Sequence, residues 1–430
     1  MAETQGDDGN RVTRIRRFDA FAVAAPGLER LAAAELQAIG AQPLESVVGG
    51  VPFAAEPAVL FRSNLELRTV TRVLVRLATF RATTFRDLER LARGVAWEEF
   101  LAPGAGAELR VTCRKSRLYH SDAVAQRVQE AIARRVRDVS VTRLSRAGEA
   151  DDGDDGDAAD DAGDSVTGRA EGDAAKHGGA LAKEFPLQLF VVRFDHDECQ
   201  ISADASGALL HRRGYRLATA KAPLRETLAA AALLAAGYDG SAPVLDPMCG
   251  AGTIAIEAAL IARRMAPGLQ RHFACERWPS APSAVFAALR DDARAGVLGR
   301  APAPIVASDR DAGAIEACRA NAARAGVTDD IDIRCCALSA ATVPHGTGLL
   351  LTNPPYGTRV GEGVALRNLY AQLGNLARRR LGGWSVALLS AHRELERQTG
   401  LPLEAILRFR NGGLPVRLVR AMVPPPVGRL

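Results

Sequence analysis

The stretch Val244-Leu245-Asp246-Pro247-Met248-Cys249-Gly250-Ala251-Gly252-Thr253, followed by the helical apolar run Ile254 to Met265, constrains the fold of this 430-residue chain more than any other feature. A buried strand that ends in a carboxylate, turns on glycines and enters a helix is how an open α/β sheet presents a nucleotide-like ligand at the carboxyl end of its first strand. Glycines let the backbone approach the ligand closely, and the first amides of the helix face it. A second unit repeats the pattern: Ile305-Val306-Ala307-Ser308 ends in Asp309, and a helix over 312–325 stops at Gly326. A carboxylate in that place accepts both hydroxyls of an adenosine ribose. The 57 residues from Gly252 to Asp309 far exceed the ~20 of dinucleotide sites, which disfavours NAD, and no Gly-x-x-x-x-Gly-Lys-Ser/Thr loop supports an ATPase. Residues 265–303 therefore form an insertion.

The most specific signal lies further on, in Leu349-Leu350-Leu351-Thr352-Asn353-Pro354-Pro355-Tyr356-Gly357. Asn-Pro-Pro-Tyr at the end of an apolar strand suits methyl transfer to an exocyclic amine, a poor nucleophile whose lone pair is delocalised into the base. The Asn353 amide oxygen and the Pro354 carbonyl can accept the amine hydrogens and localise that pair. Tyr356 offers a stacking face, and Pro354 and Pro355 hold the carbonyls rigidly. No metal or covalent nucleophile is needed, because the sulfonium of S-adenosylmethionine is already activated and alignment supplies the remaining work.

Upstream, Phe18, Ala20 and Ala22 alternate as a strand, and Leu28, Leu31, Ala32, Leu36 and Ile39 recur at helical spacing up to Gly40. The first seventeen residues read as a loose end. A strand over Leu109 to Cys113 precedes the basic cluster Arg114-Lys115-Ser116-Arg117, with Tyr119 and His120 beside it. Eight arginines occur within 62–93, and ten bases face four acids within 108–146. The tract 149–173 instead carries eleven acids against one base, so the net charge of +5 combines a local −10 with +15 elsewhere. That excess favours a polyanionic partner. The acidic tract has no hydrophobic periodicity and is expected to be disordered. Phe185 to Phe194 and Cys199 to Ala203 then read as a hairpin, and Leu224 to Ala236 as an amphipathic helix stopped by Gly237.

The seven cysteines contain no Cys-x-x-Cys and fit neither a disulfide framework nor a zinc site. They point to a reducing cytoplasm. Cys335-Cys336 reads as small apolar filling of a buried strand end, and Leu366, Leu369, Leu373 and Leu376 as a core stripe. No apolar run reaches the ~18–20 residues of a membrane span.

The order Asp246-Pro-Met-Cys-Gly-Ala-Gly-Thr, Asp309 and Asn353-Pro-Pro-Tyr-Gly resembles the class I, Rossmann-like methyltransferases, specifically the THUMP-containing bacterial 23S rRNA guanine-N2 methyltransferases of the RlmL type. Supporting segments are Phe21 to Gly40, Arg213-Gly214-Tyr215-Arg216, Ala222-Pro223-Leu224-Arg225-Glu226-Thr227, Ala266-Pro267-Gly268-Leu269 and Asn411-Gly412-Gly413. The resemblance implies an α/β fold with a loose N-terminus over 1–17 and a ferredoxin-like part over 18–59. A THUMP domain over 60–203, interrupted by the acidic insertion 147–180, would precede a methyltransferase domain over 204–430. It implies S-adenosylmethionine as cofactor, bound by Asp246, Cys249, Gly250, Gly252, Thr253 and Asp309. Asn353, Pro354, Pro355 and Tyr356 would take a flipped guanine. Arg110, Arg114, Lys115 and Arg117 would contact RNA, either 23S rRNA or the assembling large subunit. One departure is Ala337, where such enzymes carry an acid for the adenine amine. Some relatives are fused to a second methyltransferase domain, for which 430 residues leave no room, so one activity is expected. The alternatives are a tRNA guanine-N2 or DNA adenine-N6 methyltransferase, and a non-catalytic RNA-binding or ribosome-assembly protein.

Overall fold

The computed structural model describes residues 17–144, 187–216, 224–356, 363–411 and 413–425. The acidic insertion, most of the expected loose N-terminus, Ala222, Pro223, Gly357 and Gly412 lie outside the described residues. Two sheets organise the rest.

The first has eight strands: β1 (Phe18–Ala24), β2 (Gln42–Pro43), β3 (Gly50–Ala55), β4 (Val70–Arg81), β5 (Gly106–Arg114), β6 (Ser140–Arg143), β7 (Gln188–Asp195) and β8 (Glu198–Asp204). Their order is β2-β3-β1-β4-β8-β7-β5-β6. Strand β1 buries Phe18, Ala20, Ala22 and Ala24 while Asp19 faces solvent, so the period-two pattern sets one face inward. Helices α1 (Glu29–Ala38), α2 (Pro57–Glu66), α3 (Phe85–Ala92) and α4 (Ser121–Arg135) supply the covering residues, α1 through Ala32 and Leu36 and α4 through Val124, Val128 and Ile132. Gly40, at φ +82°, lets the chain leave α1. The expected hairpin is present as β7–β8, paired from Phe190 with Ala203 to Asp195 with Glu198. Strand β4 pairs with β1 on one side and β8 on the other, so strands from both sides of residue 59 share one continuous sheet.

The second sheet has seven strands: β9 (Val244–Asp246), β10 (Ile305–Asp309), β11 (Ile331–Cys335), β12 (Leu349–Thr352), β13 (Ser385–Ser390), β14 (Glu404–Asn411) and β15 (Leu414–Met422). The order is β11-β10-β9-β12-β13-β15-β14, with β15 antiparallel to both neighbours. From β9 the chain builds outward to β10 and β11, then crosses back to place β12 on the other side of β9. The topological switch therefore falls between β9 and β12, where an open α/β sheet forms its ligand crevice. Helices α5 (Glu226–Ala235), α6 (Thr253–Ala262), α7 (Ser283–Ala295), α8 (Ala312–Ala325), α9 (Gly363–Arg380) and α10 (Arg393–Gln398) complete the domain.

Helix α5 differs from its sequence reading. It is not amphipathic, since Glu226 through Leu233 are all buried; α5 packs on α6, α1 and β14, which leaves it no wet face. The Leu366 stripe behaves as expected, with Leu366, Leu373 and Leu376 buried.

Residues 265–303 join the two halves. Phe286 on α7 stacks on Phe61 of α2 with ring centres 4.5 Å apart, and Phe273 meets the same ring edge-on at 5.7 Å. Trp278 packs edge-on against Phe100 at 4.9 Å and donates its indole N–H to the Gln188 side chain at 2.8 Å. Aromatic pairs of this kind add about 0.5–1.5 kcal/mol each beyond burial, which favours a fixed relation between the sheets. Arginines contribute as well. Arg68 donates to the Met265 carbonyl at 2.7 Å, and Arg271 to that of Leu209 at 2.8 Å. Arg72 pairs with buried Asp204 and Arg62 with Glu66, so Arg62, Arg68 and Arg72 serve the fold rather than an outer ligand. Among the described residues no helix is long and apolar enough to cross a membrane.

Candidate active site

The turn between β9 and α6 is assembled from both flanking elements. The Cys249 N–H donates to the Ser308 carbonyl and the Gly250 N–H to the Asp309 carboxylate, each at 3.0 Å, which ties the turn to the end of β10. Asn321 on α8, fully buried, donates its amide to the Ala251 carbonyl at 3.0 Å. Gly252 has φ +87°, and a β-carbon there would collide with the Cys318 sulfur, so both conformation and space demand glycine. At Gly250 (φ +52°) an added β-carbon would meet nothing within 4 Å, so this side of the turn is open. Thr253 begins α6, whose N–H groups point toward the turn.

Asp246 is 1 % exposed at the end of β9. One of its oxygens accepts the Thr352 hydroxyl from the end of β12 at 2.8 Å and the Met248 N–H at 3.3 Å. Burial pushes its carboxyl up to about 7, against the opposing pull of the Thr352 bond, and the charge of Asp309 adds to the rise. Asp309 accepts from the Gly250 N–H through one oxygen and the Asp311 N–H, at 3.0 Å, through the other. Each oxygen retains acceptor capacity for a hydroxyl.

The Asn353–Tyr356 turn leaves β12 beside this carboxylate pair. Asn353 is half-buried, Pro354 buried, Pro355 exposed and Tyr356 half-buried. The Tyr356 hydroxyl donates to the Asn353 amide oxygen and also meets the Asn411 side chain at the end of β14. Burial raises the tyrosine hydroxyl well above its usual range. The oxygen assigned to an incoming amine is thus held by Tyr356.

Behind the site, Glu226 at the start of α5 is buried and pairs with Arg216 at 3.1 Å, while burial lifts its carboxyl to about 7. Glu257 on α6 accepts the Tyr215 hydroxyl at 3.1 Å and faces Arg213.

The structure thus gathers Asp246, Cys249, Gly250, Gly252, Thr253 and Asp309 around one turn and sets Asn353 to Tyr356 next to it. Arg110, Arg114, Lys115 and Arg117 are elsewhere, on β5 of the first sheet and the loop after it. Two further features differ from expectation or confirm a departure. Cys335 is exposed rather than filling a buried strand end, because β11 is the edge strand of its sheet. Ala337 is exposed too and offers only backbone. Sequence reasoning passed over Thr352 and Asn321. Thr352 carried a usable signal, a hydroxyl closing an otherwise apolar strand, whereas Asn321 is one polar residue among the alanines of α8 and is legible only once its partner is known.

A seven-stranded sheet with this order, carboxylates ending β9 and β10, and an Asn-Pro-Pro-Tyr turn ending β12 define a Rossmann-like methyltransferase. Residues 213–411 match the family described as the RMKL-like methyltransferase domain, and residues 19–74 match the RlmL ferredoxin-like domain. A candidate RNA methyltransferase of Synechocystis sp. is 33% identical over 93% of this chain and 95% of its own length. The ribosomal RNA large subunit methyltransferase K/L of Syntrophotalea carbinolica is 34% identical over 93% of this chain, which spans about half of that relative (53%). Among solved structures, SMU.472, a candidate methyltransferase complexed with SAH, superposes with a TM-score of 0.78 at 26% identity over 96% of this chain and 100% of its own. A Listeria monocytogenes protein described as a predicted N6-adenine-specific DNA methylase gives 0.76 at 31% identity, covering 95% of this chain and 97% of its own. The chain belongs to the RlmL-like methyltransferase family.

Proposed function

We propose that this protein transfers a methyl group from S-adenosylmethionine to the exocyclic N2 of a guanine in 23S rRNA, free or in the assembling large subunit. The observation that carries the reading is the junction at the sheet's switch point. Thr352, the residue before the Asn353–Tyr356 turn, is bonded to Asp246, the residue before the glycine turn. An amine site and a cofactor site then share one crevice.

The residues fit such a cofactor. The space beside Gly250 is open, Asp309 has acceptor capacity for ribose hydroxyls, and Asp246 supplies a carboxylate on the methionine side. Cys249, Gly252 and Thr253 shape the turn around it. Bound S-adenosylmethionine supplies a methyl group on a sulfonium already activated toward nucleophiles. The rest is the work of this chain. Asn353 and the Pro354 carbonyl accept the amine hydrogens and localise its lone pair, while Pro355 stiffens the turn and Tyr356 stacks on the base. For the base to enter, the Tyr356 hydroxyl gives up the Asn353 oxygen. The division into a ferredoxin-like part (18–59), a THUMP part (60–203) and a catalytic part (204–430) belongs to the same proposal, with Arg110, Arg114, Lys115 and Arg117 toward RNA.

The description of the Listeria structure favours a second reading, adenine-N6 methylation of DNA. The names of the Synechocystis and Syntrophotalea relatives support RNA. Incubation with methyl-labelled cofactor and unmodified 23S rRNA, tRNA or duplex DNA decides between them. Label in 23S rRNA recovered as N2-methylguanosine is expected; label confined to tRNA or DNA, or none, overturns the proposal.

A further inference from the structure

The loop between β5 and α4 presents an aromatic pair to solvent on a firmly bonded frame. Tyr119 is 67% exposed, and it is the one aromatic among the exposed large apolar side chains of the described residues. Its ring lies against that of His120, with centres 4.0 Å apart and planes tilted by 39°. An aromatic pair presented to water gains nothing for the fold, yet the loop that carries it is firmly built. Leu118, 5% exposed, anchors it in the core. The Asp197 carboxylate in the β7–β8 turn accepts the Arg117 N–H at 2.7 Å, and the Asp197 N–H donates to the Ser116 hydroxyl at 2.9 Å. That hydroxyl donates in turn to the Arg114 carbonyl at 2.8 Å. Lys115 is held at φ +45°, and His196 and Asp197 across from it at +50° and +65°. His196 and Asp197 are the two central residues of the β7–β8 hairpin, whose two-residue turn requires positive φ at both, and the bonds of Asp197 to Ser116 and Arg117 fix the β5–α4 loop against that turn.

The charge around the pair suits a polyanion that also has flat apolar faces. Lys115 and Arg117 are exposed next to Tyr119, and Arg114 ends β5 beside them. Of the nearby acids, Asp197 is engaged by the Arg117 amide and faces Arg81 at 3.9 Å. Asp195 pairs with the His196 ring at 2.9 Å, and Asp122 pairs with Arg143. Cations beside an exposed aromatic face are the components of a single-strand RNA contact, in which bases stack and phosphates meet Lys or Arg.

We propose that Tyr119 and His120, backed by Lys115 and Arg117, form a stacking platform for an unpaired base of the RNA substrate, separate from the catalytic crevice. The platform rests on the RNA reading given above. It reads a loop or bulge rather than a duplex, because only an unstacked base can lie on the Tyr119 ring. Its rigid frame lowers the ordering cost of binding.

The test uses the full chain and two RNA probes of equal length, one a hairpin with an unpaired loop carrying 2-aminopurine and one a fully paired duplex. Tyr119→Ala is expected to weaken hairpin binding about tenfold, with loss of 2-aminopurine quenching and no change for the duplex. Tyr119→Phe keeps the stacking face and is expected to bind as the wild type. Equal hairpin affinity for wild type and Tyr119→Ala overturns the platform, as does an equal loss for duplex and hairpin. Methyl transfer by the wild type, measured in the same preparation, keeps the failures apart: transfer with unchanged Tyr119→Ala binding overturns the platform alone. A wild type that neither binds RNA nor methylates it overturns both.

Discussion

Thr352 donates its hydroxyl to Asp246 at 2.8 Å across 106 residues of sequence, joining the ends of the two strands that flank the switch point. Each residue ends its strand just before a turn, so this buried bond adds a side-chain tie to the backbone pairing of β9 with β12 and holds the two turns relative to each other. Replacement by valine keeps the volume and removes the donor. Thr352→Val is expected to raise the Asp246 pKa further and to weaken cofactor binding at pH 7 by about tenfold, as for a buried bond to a charged acceptor. Calorimetry at several pH values checks it, since the deficit should shrink as pH rises.

The Asp246 carboxyl, pushed up to about 7, gives the native protein its own pH signature. Between the unfolded value of about 3.9 and about 7 the folded state holds a proton that the unfolded chain has released. The free protein is therefore destabilised at this group as pH rises through that window. Cofactor binding runs the opposite way, because its cationic amine favours the ionised carboxylate. Affinity should climb as pH rises through about 7, and Asp246→Asn should flatten that climb, lower the affinity and leave the melting temperature at pH 8 equal or higher. Glu226 titrates in the same region and remains in Asp246→Asn, so any residual slope reports on it.

Asn353→Ala removes the proposed amine acceptor and leaves the glycine turn intact. Transfer is expected to fall at least about a hundredfold, as on loss of one preorganised polar group in other active sites, with cofactor affinity largely kept. Loss of both in parallel activity and calorimetric measurements would make Asn353 a structural residue.

The Tyr356 hydroxyl bonds to Asn353, and the proposed function adds a stacking role for its ring; mutations separate the two. Tyr356→Phe keeps the stacking face and frees the Asn353 oxygen, so the KM for RNA should be unchanged or lower. Tyr356→Ala removes the face and should raise KM and lower kcat. Equal losses in the two variants, measured by steady-state kinetics, would place the importance in the hydroxyl.

Much of this was legible in the sequence for a physical reason. Asp246 and Asp309 end β9 and β10 and Asn353 follows β12, each in a short contiguous run that marks the strand end, and the glycine stops at Gly40 and Gly326 mark helix ends directly. What was not legible depends on distant partners. Helix α5 read as amphipathic because its packing against α1 and β14 cannot be seen locally. The arginine excess read as outward charge, yet Arg62, Arg68 and Arg72 are spent on Glu66, Met265 and Asp204. The joining role of residues 265–303 likewise waited on the Phe61–Phe286 stack.

Gly252 offers a stability test of the turn. Gly252→Ala is expected to cost about 2 kcal/mol or more, from a left-handed backbone and a collision with Cys318. Adding Cys318→Ala, which removes the colliding sulfur without a helix-breaking glycine in α8, should recover part of the loss in denaturant unfolding, since the backbone strain remains. No recovery would mean that Cys318 does not limit the turn.

The most direct measurement of the central claim is a map of methylated guanines in 23S rRNA from cells lacking this protein, compared with the parent strain. One N2-methylguanine should disappear and return when the wild-type protein, but not Asn353→Ala, is restored. A complete set of N2-methylguanines in the absence of the protein would contradict the account.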